Sequence, residues 1–298
     1  MSDERSTGRA LTSDDAAAVT AVVAASEAHD DGVSLIEEED VAADWRRDGF
    51  DLARQARGWE VDGRLVACAE LHHGRLENYV HPAARGRGLG TEALRWSLDL
   101  ARSLGESSVA QTLAVGNAAA IALLEAHGFE PSYESWVLGL PSGASLPDAQ
   151  LPDGYALRDY VPGTDERVAY DVIEGAFGEW PGRRAKSFDD WRTTTVGRED
   201  FEPWQVRLVE GPDGVVAACV SSLPGDTGWV DQLAVAAPHR RRGIAQALLA
   251  DAFATTRARG AVRAELNTDS RTGALGLYLA VGMEVVRSYR NLRLTLDA

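Results

Sequence analysis

Two short runs, Arg85-Gly86-Arg87-Gly88-Leu89-Gly90 and Arg240-Arg241-Arg242-Gly243-Ile244-Ala245, carry the residue types needed to hold a phosphate. At a loop-to-helix junction the backbone N–H groups point one way and bear the positive end of the helix dipole, so phosphate oxygens are accepted there. Glycine lets the backbone approach an anion closely, and arginine adds charge-assisted hydrogen bonds. One such run is weak evidence in a chain with 29 glycines. Two runs in matching surroundings are not. Upstream, Asn78-Tyr79-Val80-His81-Pro82 is answered by Leu233-Ala234-Val235-Ala236-Ala237-Pro238, and both put a valine shortly before the first arginine. Downstream, Leu123-Leu124-Glu125-Ala126-His127-Gly128-Phe129 is answered by Leu277-Tyr278-Leu279-Ala280-Val281-Gly282-Met283. The offset is about 155 residues in both cases, which makes the chain an internal duplication of domain-sized copies.

The elements that must position these runs follow the same order twice. In the first half, a strand near 8–11 leads through Thr12-Ser13-Asp14, an N-cap region, into a helix with Ala17, Val19, Val22 and Val23 on its apolar positions. A helix over 38–47 comes next, then a hairpin over 58–73 turning at Asp62-Gly63. A strand over 76–80 precedes the glycine-rich loop, after which Leu94, Leu98 and Ala101 share one helix face. The turn-forming stretch Pro141-Ser142-Gly143-Ala144-Ser145-Leu146-Pro147-Asp148 reads as a linker, giving domains 1–140 and 154–298 joined by 141–153. The second half predicts a strand at 155–160, helices at 165–177 and 188–196, and a hairpin at Pro212-Asp213-Gly214. It continues with a strand at 229–235, a helix aligning Ile244, Leu248 and Ala252, a strand at 262–266, a helix at 272–281 and a final strand through Leu296.

This order, a strand, Arg-x-x-Gly-x-Gly/Ala, a helix, a strand, then a helix ending Leu-Tyr-x-x-x-Gly-Phe/Met, resembles the GNAT superfamily of acyl-CoA-dependent N-acyltransferases. The resemblance covers nearly the whole chain as a tandem pair, an arrangement similar to that of mycothiol synthase. It implies an α/β (α+β) fold class: two tandem folds, each a mixed, mostly antiparallel twisted sheet with splayed central parallel strands and flanking helices. It also implies acetyl-CoA as co-substrate. The pyrophosphate would lie on Arg85, Gly86, Arg87, Gly88, Leu89 and Gly90 in one copy, and on Arg240, Arg241, Arg242, Gly243, Ile244 and Ala245 in the other. The pantetheine arm would run along Leu233, Ala234 and Val235, and in the first copy along Asn78, Tyr79 and Val80, whose backbone polarises the thioester carbonyl. Tyr278 matches the family's tyrosine, a phenol that protonates the departing thiolate. The first copy has Leu124 there, so catalysis is expected in the C-terminal half; a core residue with a surface hydroxyl is the other reading of Tyr278. The family often has asparagine seven residues before this tyrosine, which Asn117 satisfies relative to Leu124. The second copy has Arg271 there and Asn267 four residues earlier. Asp231 is the candidate general base because it lies two residues before Leu233 on the same strand face. Glu179 and Asp189 are weaker candidates, and Trp180, Trp191 and Trp204 either line an acceptor pocket or pack a core. Gly273 and Gly276 weaken the helix carrying Tyr278, either to admit the pantetheine or because that helix is short.

Composition limits the partners. A net charge of −16 opposes nucleic acid and anionic membranes; it would attract a cationic acceptor or simply reflects an acidic surface, while a small-molecule amine acceptor is what the family resemblance implies. Hydrophobic residues make up 45% of the chain, yet no apolar stretch approaches the ~20 residues that span a bilayer. The polar start Met1-Ser2-Asp3-Glu4-Arg5 has no signal-peptide pattern, so a cytoplasmic location is expected. Cys68 and Cys219 fall in corresponding apolar strands as small core side chains. No metal is expected: His72 and His73, adjacent on an alternating strand, face opposite ways, while His81 and His239 sit exposed beside the loops. A non-catalytic acetyl-CoA sensor is the competing reading. A dinucleotide oxidoreductase fails, because the loop follows a fourth strand and its second copy keeps one glycine.

Overall fold

The computed structural model describes residues 7–141, 143–144, 146, 149–180 and 183–296. Contacts divide the chain into two compact units, Met1–Glu134 with Ser288–Ala298, and Ser135–Arg287.

In the first unit the chain runs β1 (Thr7–Ala10), α1 (Ala16–Asp31), α2 (Glu38–Trp45), α3 (Leu52–Gln55), β2 (Ala56–Val61), β3 (Arg64–His72), β4 (Arg75–Val80), α4 (Leu89–Ser103), β5 (Ser108–Ala114), α5 (Ala118–Ala126) and the start of β6 (Glu130–Gly139). The predicted hairpin forms because Asp62 and Gly63 both take positive φ, 51° and 73°, as a tight two-residue turn demands. β1, β2, β3 and β4 pair antiparallel, whereas β4 and β5 run parallel. Leu94, Leu98 and Ala101 bury their shared face beneath α4, Leu94 and Ala101 almost completely. Each large side chain buried this way contributes roughly 1.5–3 kcal/mol. On the opposite face Val19, Val22 and Val23 of α1 pack with Cys68.

The second unit repeats the plan with the end of β6, β7 (Ala156–Asp159), α6 (Glu166–Phe177), α7 (Phe188–Thr194), β8 (Val206–Gly211), β9 (Gly214–Ser222), β10 (Thr227–Val235), α8 (Ile244–Arg257), β11 (Arg263–Asp269), α9 (Leu275–Ala280) and the start of β12 (Glu284–Thr295). β10 and β11 are its parallel pair. Even the ion pairs recur. Arg9 reaches Asp15 at 2.7 Å and Glu60 at 2.7 Å, and Arg158 reaches Asp165 at 2.7 Å and Glu210 at 2.8 Å. Asp15 and Asp165 also accept backbone N–H groups, of Thr12 and Val161 respectively.

The two units and the two sequence repeats divide the chain differently. β5 of the first unit pairs with β12 from Tyr289 opposite Ala114 to Thr295 opposite Ser108. β11 of the second unit pairs with β6, from Glu265 opposite Gly139 to Asp269 opposite Ser135. Each unit therefore closes its sheet with a strand from the other half of the sequence. Within the predicted linker, Ser142, Ser145, Pro147 and Asp148 lie outside the described residues, while Ala144, Leu146 and Leu151 pack on the core of the second unit.

Two expectations need correction. His73 is not on the strand: β3 ends at His72, His73 takes a φ of 51°, and the two rings lie 4.0 Å apart. His239 is buried rather than exposed, with Tyr155 Oη 2.8 Å from its Nδ1. Cys68 and Cys219 are buried core side chains on the corresponding strands β3 and β9, as expected, but one register position apart: Cys68 pairs with Tyr79, immediately before Val80, whereas Cys219 pairs with Leu233, two before Val235. They consequently pack on opposite sheet faces, Cys68 with α1 and Cys219 with α8.

Candidate active site

Both glycine-rich loops form the junction that their composition implies. Gly88 and Gly243 are the N-cap residues of α4 and α8, at φ of 89° and 79°. The first intrahelical bonds are Glu92 N–H to Gly88 O and Ala247 N–H to Gly243 O, both 3.0 Å. The preceding amides, at Leu89, Gly90 and Thr91 in α4 and at Ile244, Ala245 and Gln246 in α8, therefore have no helical acceptor and point out of the helix start. Gly86 takes φ of 76°; its counterpart Arg241 holds the same left-handed backbone at 61°, a conformation that side chains disfavour by about 1–2 kcal/mol. Arg87, Arg241 and Arg242 are exposed. Arg242 also reaches Tyr155 Oη at 3.2 Å.

Arg85 and Arg240 face inward. Arg85 Nε donates to Val80 O at 3.2 Å and its other nitrogens to Asp30, at 2.6 and 2.8 Å, and to Ser26 Oγ at 2.7 Å. Arg240 repeats this with Val235 O at 2.8 Å and Glu179 at 2.6 and 2.9 Å. In each copy the first arginine ties the loop to the end of the strand and to an acid at the end of the first long helix. Glu179, a candidate base, is thus engaged with Arg240, which lowers its pKa. Asp189 lies in the exposed first turn of α7.

The parallel strands splay as expected. Among the described residues the β4–β5 ladder is registered only at Arg75 with Ala110. Beyond it the buried Gln111 spans the gap, donating from Nε2 to Asn78 O at 3.0 Å. The opening is a cavity of about 400 Å³, with Asn78, Tyr79 and Val80 on one wall and Gln111 to Ala114 on the other. The loop, through Arg85, Gly86, Gly88, Leu89 and Gly90, closes one end, while Asn117, Leu123 and Leu124 come from α5. Asn117 caps α5 by accepting Ala120 N–H at 3.1 Å, and its Nδ2 donates to Asp30 at 2.7 Å. Asn78 accepts from Ser97 Oγ at 2.9 Å, but its Nδ2 is buried without a partner.

In the second unit the β10–β11 ladder runs from Thr227 with Arg263 to Val230 with Leu266. β10 then bulges: Val230 pairs with Ser221 and Gln232 with Val220, leaving Asp231 as the extra residue. β4 pairs with β3 without such a shift. The bulge interrupts the two-residue alternation that placed Asp231 beside Leu233, and Asp231 is exposed. Leu233 is half-buried, and Ala234 and Val235 are buried.

Tyr278 lies on α9 in the core cluster with Cys219, Val235 and Leu266. Burial, reinforced by Cys219, pushes its phenol up to about 12. α9 is shorter than predicted because Gly273, at φ of 66°, lies before it. Asn267 sits exposed on β11 opposite Val137, far from any cap. α9, with Ala274 at its N-cap, has no side-chain cap like that of Asn117; Thr272 Oγ1 accepts Ala274 N–H at 3.1 Å in the turn before it, and Arg271 pairs with Asp269 at 2.6 Å. Trp191 is fully buried in a core cluster and donates to Gln232 at 2.9 Å. Trp180 stacks on Phe177, and Trp204 lies under Arg259.

Sequence reasoning missed Glu27, Asp30, Asp31, Gln111 and Tyr289, all of which line the cavity. A signal for three of them was present. Glu27, Asp30 and Asp31 occupy the C-terminal turns of α1, where the dipole disfavours negative charge, so something must compensate.

Comparison with known proteins places these features. The profile of the Acetyltransferase (GNAT) family matches residues 24–129 and 167–283. A mycothiol acetyltransferase of Thermobispora bispora is 30% identical over 219 residues, covering 69% of this chain and 71% of that protein. One from Saccharopolyspora erythraea is 29% identical over 228 residues, covering 72% of each. The crystal structure of a GCN5-related N-acetyltransferase from Sphaerobacter thermophilus superposes with a TM-score of 0.76 at 31% identity, over 100% of this chain and 98% of that one. A tandem GNAT protein from the clavulanic acid biosynthesis pathway shares the fold, with a TM-score of 0.72 at 15% identity and 99% of each chain covered.

Proposed function

The chain belongs to the Acetyltransferase (GNAT) family of N-acetyltransferases, and from that premise we propose that it moves the acetyl group of acetyl-CoA to a small primary amine, with Tyr278 of the C-terminal half as proton donor. The observation that carries this reading is the contrast between Tyr278 and Leu124 at matching places in the repeat. A phenol pushed up to about 12 keeps its proton at neutral pH, so it is present as a donor, not as a phenolate, when the thiolate departs. Acetyl-CoA supplies the thioester that the amine attacks. The residues present fit it: helix starts with free amides and, in the first unit, parallel strands that separate over a cavity. The bulge at Asp231 re-aims the backbone of β10 beside its parallel partner, where an N–H can hold a carbonyl oxygen. The Asp231 carboxylate, exposed at that bulge, attracts an ammonium and takes its proton directly or through water. The acidic net charge of −16 also favours a cationic acceptor.

Tyr278→Phe tests this reading. It should lower kcat by about 10²–10⁴ and leave CoA affinity nearly unchanged. Unaltered turnover, measured by release of free thiol, would remove Tyr278 from the mechanism. A second reading, mycothiol acetyltransferase activity, is favoured by relatives of that name matching over two thirds of the chain. It predicts that the gene restores mycothiol to a bacterium deleted for its own mycothiol acetyltransferase.

A further inference from the structure

The cavity of the first unit contains groups that coenzyme anchoring does not use. Its acidic end is formed by the last turns of α1, where Asp30 is taken by Arg85 and Asn117. Glu27 is not matched by a cation in that way. It accepts Ser34 Oγ at 2.6 Å, and the charges acting on it, Asp31, Glu77 and Asp40, are all negative. Burial and these neighbours push its carboxyl up to about 7, so it exchanges a proton near neutrality. Tyr289 lines the same cavity. It reaches it on β12, opposite Ala114 at the open end of β5, and its hydroxyl donates to Asp31 at 3.0 Å. Asn78, on β4, also lines it. A cavity with a carboxylate among negative charges and a phenol holds more than one kind of ligand group.

We propose that the first unit is a second amine-acylating site, in which Glu27 receives the ammonium of a small primary amine and takes its proton, while Tyr289 is the proton donor that Leu124 cannot be. This rests on the reading of the chain as an acetyl-CoA-dependent transferase. One ammonium proton passes to the Glu27 carboxylate. The freed nitrogen forms the C–N bond as the thioester C–S bond breaks. The Tyr289 hydroxyl protonates the leaving thiolate and regains a proton from the acylated nitrogen, so amide, free thiol and one proton on Glu27 balance the reaction. The donor therefore belongs to the strand that the first unit takes from the other half of the sequence, and the leucine at position 124 does not silence the site.

The experiment uses the full chain carrying Tyr278→Phe, with acetyl-CoA and a panel of tyramine, spermidine and glucosamine, read by thiol release. Amine-dependent release should persist. It should fall a further ~10²-fold when either Glu27→Gln or Tyr289→Phe is added, the loss expected for a positioned base or acid. Calorimetry on the CoA-saturated Tyr278→Phe chain should show the active amine binding about tenfold more weakly after Glu27→Gln. CoA titrations should be unaltered by either change, showing that the unit is folded. A Tyr278→Phe chain without amine-dependent release, or one indifferent to Glu27→Gln, overturns the second site. Release in the unmodified chain that is untouched by Tyr278→Phe would instead strike the assignment of Tyr278 alone.

Discussion

Arg85→Ala separates a residue that builds the loop from one that touches phosphate. The guanidinium is 27% exposed and its partner Asp30 10%, so removing the arginine strands a carboxylate that is mostly out of water. A fully buried pair broken this way costs about 3–5 kcal/mol. Here Asn117 Nδ2 still donates to Asp30, and the arginine was partly solvated, which brings the loss to about 2–3 kcal/mol. At roughly 2–4 °C per kcal/mol, the melting transition of the first unit should drop by about 5–10 °C. Arg240→Ala should cost less, because Glu179 is an exposed partner. The assay is differential scanning calorimetry on both variants and on Arg85→Ala with Asp30→Ala. The double variant should be little worse than Arg85→Ala, since the stranded charge is gone. CoA affinity should fall only modestly. An Arg85→Ala protein with an unchanged transition but no CoA binding would refute the argument and make the side chain a phosphate ligand.

Gly88→Val and Gly243→Val should each remove one of two CoA sites counted by calorimetry, because both positions need left-handed backbone at the helix start, and only the Gly243 change should abolish the activity assigned to Tyr278. One site in the unmodified chain, insensitive to Gly88→Val, would contradict this. Glu27, raised to about 7 in the folded state, binds its proton more tightly there than when unfolded, so stability declines as pH rises from the usual carboxylate range to about 7. Glu27→Gln should therefore raise the melting temperature at pH 8 and leave it nearly unchanged at pH 4; equal shifts at both would be inconsistent with that titration. Asp15 has the opposite sign. Arg9 lowers it to about 2, so its contribution is complete above the ordinary carboxylate range and is lost as pH falls toward 2, and Arg9→Ala should flatten acid unfolding monitored by circular dichroism.

The repeat was legible because its signals are local. Asp62-Gly63, Gly88, Gly243 and the Leu94, Leu98, Ala101 stripe each act within a turn or two of themselves, and each forms what its spacing implies. Of the candidate site, the glycine-rich loops were the legible part. Asp30 lies 55 residues from Arg85 and Tyr289 lies 258 from Asp31, separations at which spacing carries no information. The bulge was hidden for another reason: one inserted residue, Asp231, changes a strand's facing without changing its composition. His239 appeared solvated beside its loop because nothing nearby in the chain announces Tyr155.

The exchanged strands set an order of assembly. During synthesis β5 emerges long before Tyr289–Thr295, so the edge from Ser108 to Ala114 must wait, unpaired, until nearly the whole second half has been made. The interval exposes a strand edge of the kind that recruits wrong partners. β6 has the converse role, since it is made early and then held for β11, which appears after it. A gene cut between the repeats would thus leave each piece without the strand that closes its sheet, and the duplicated halves, though separable on paper, are obliged to mature together.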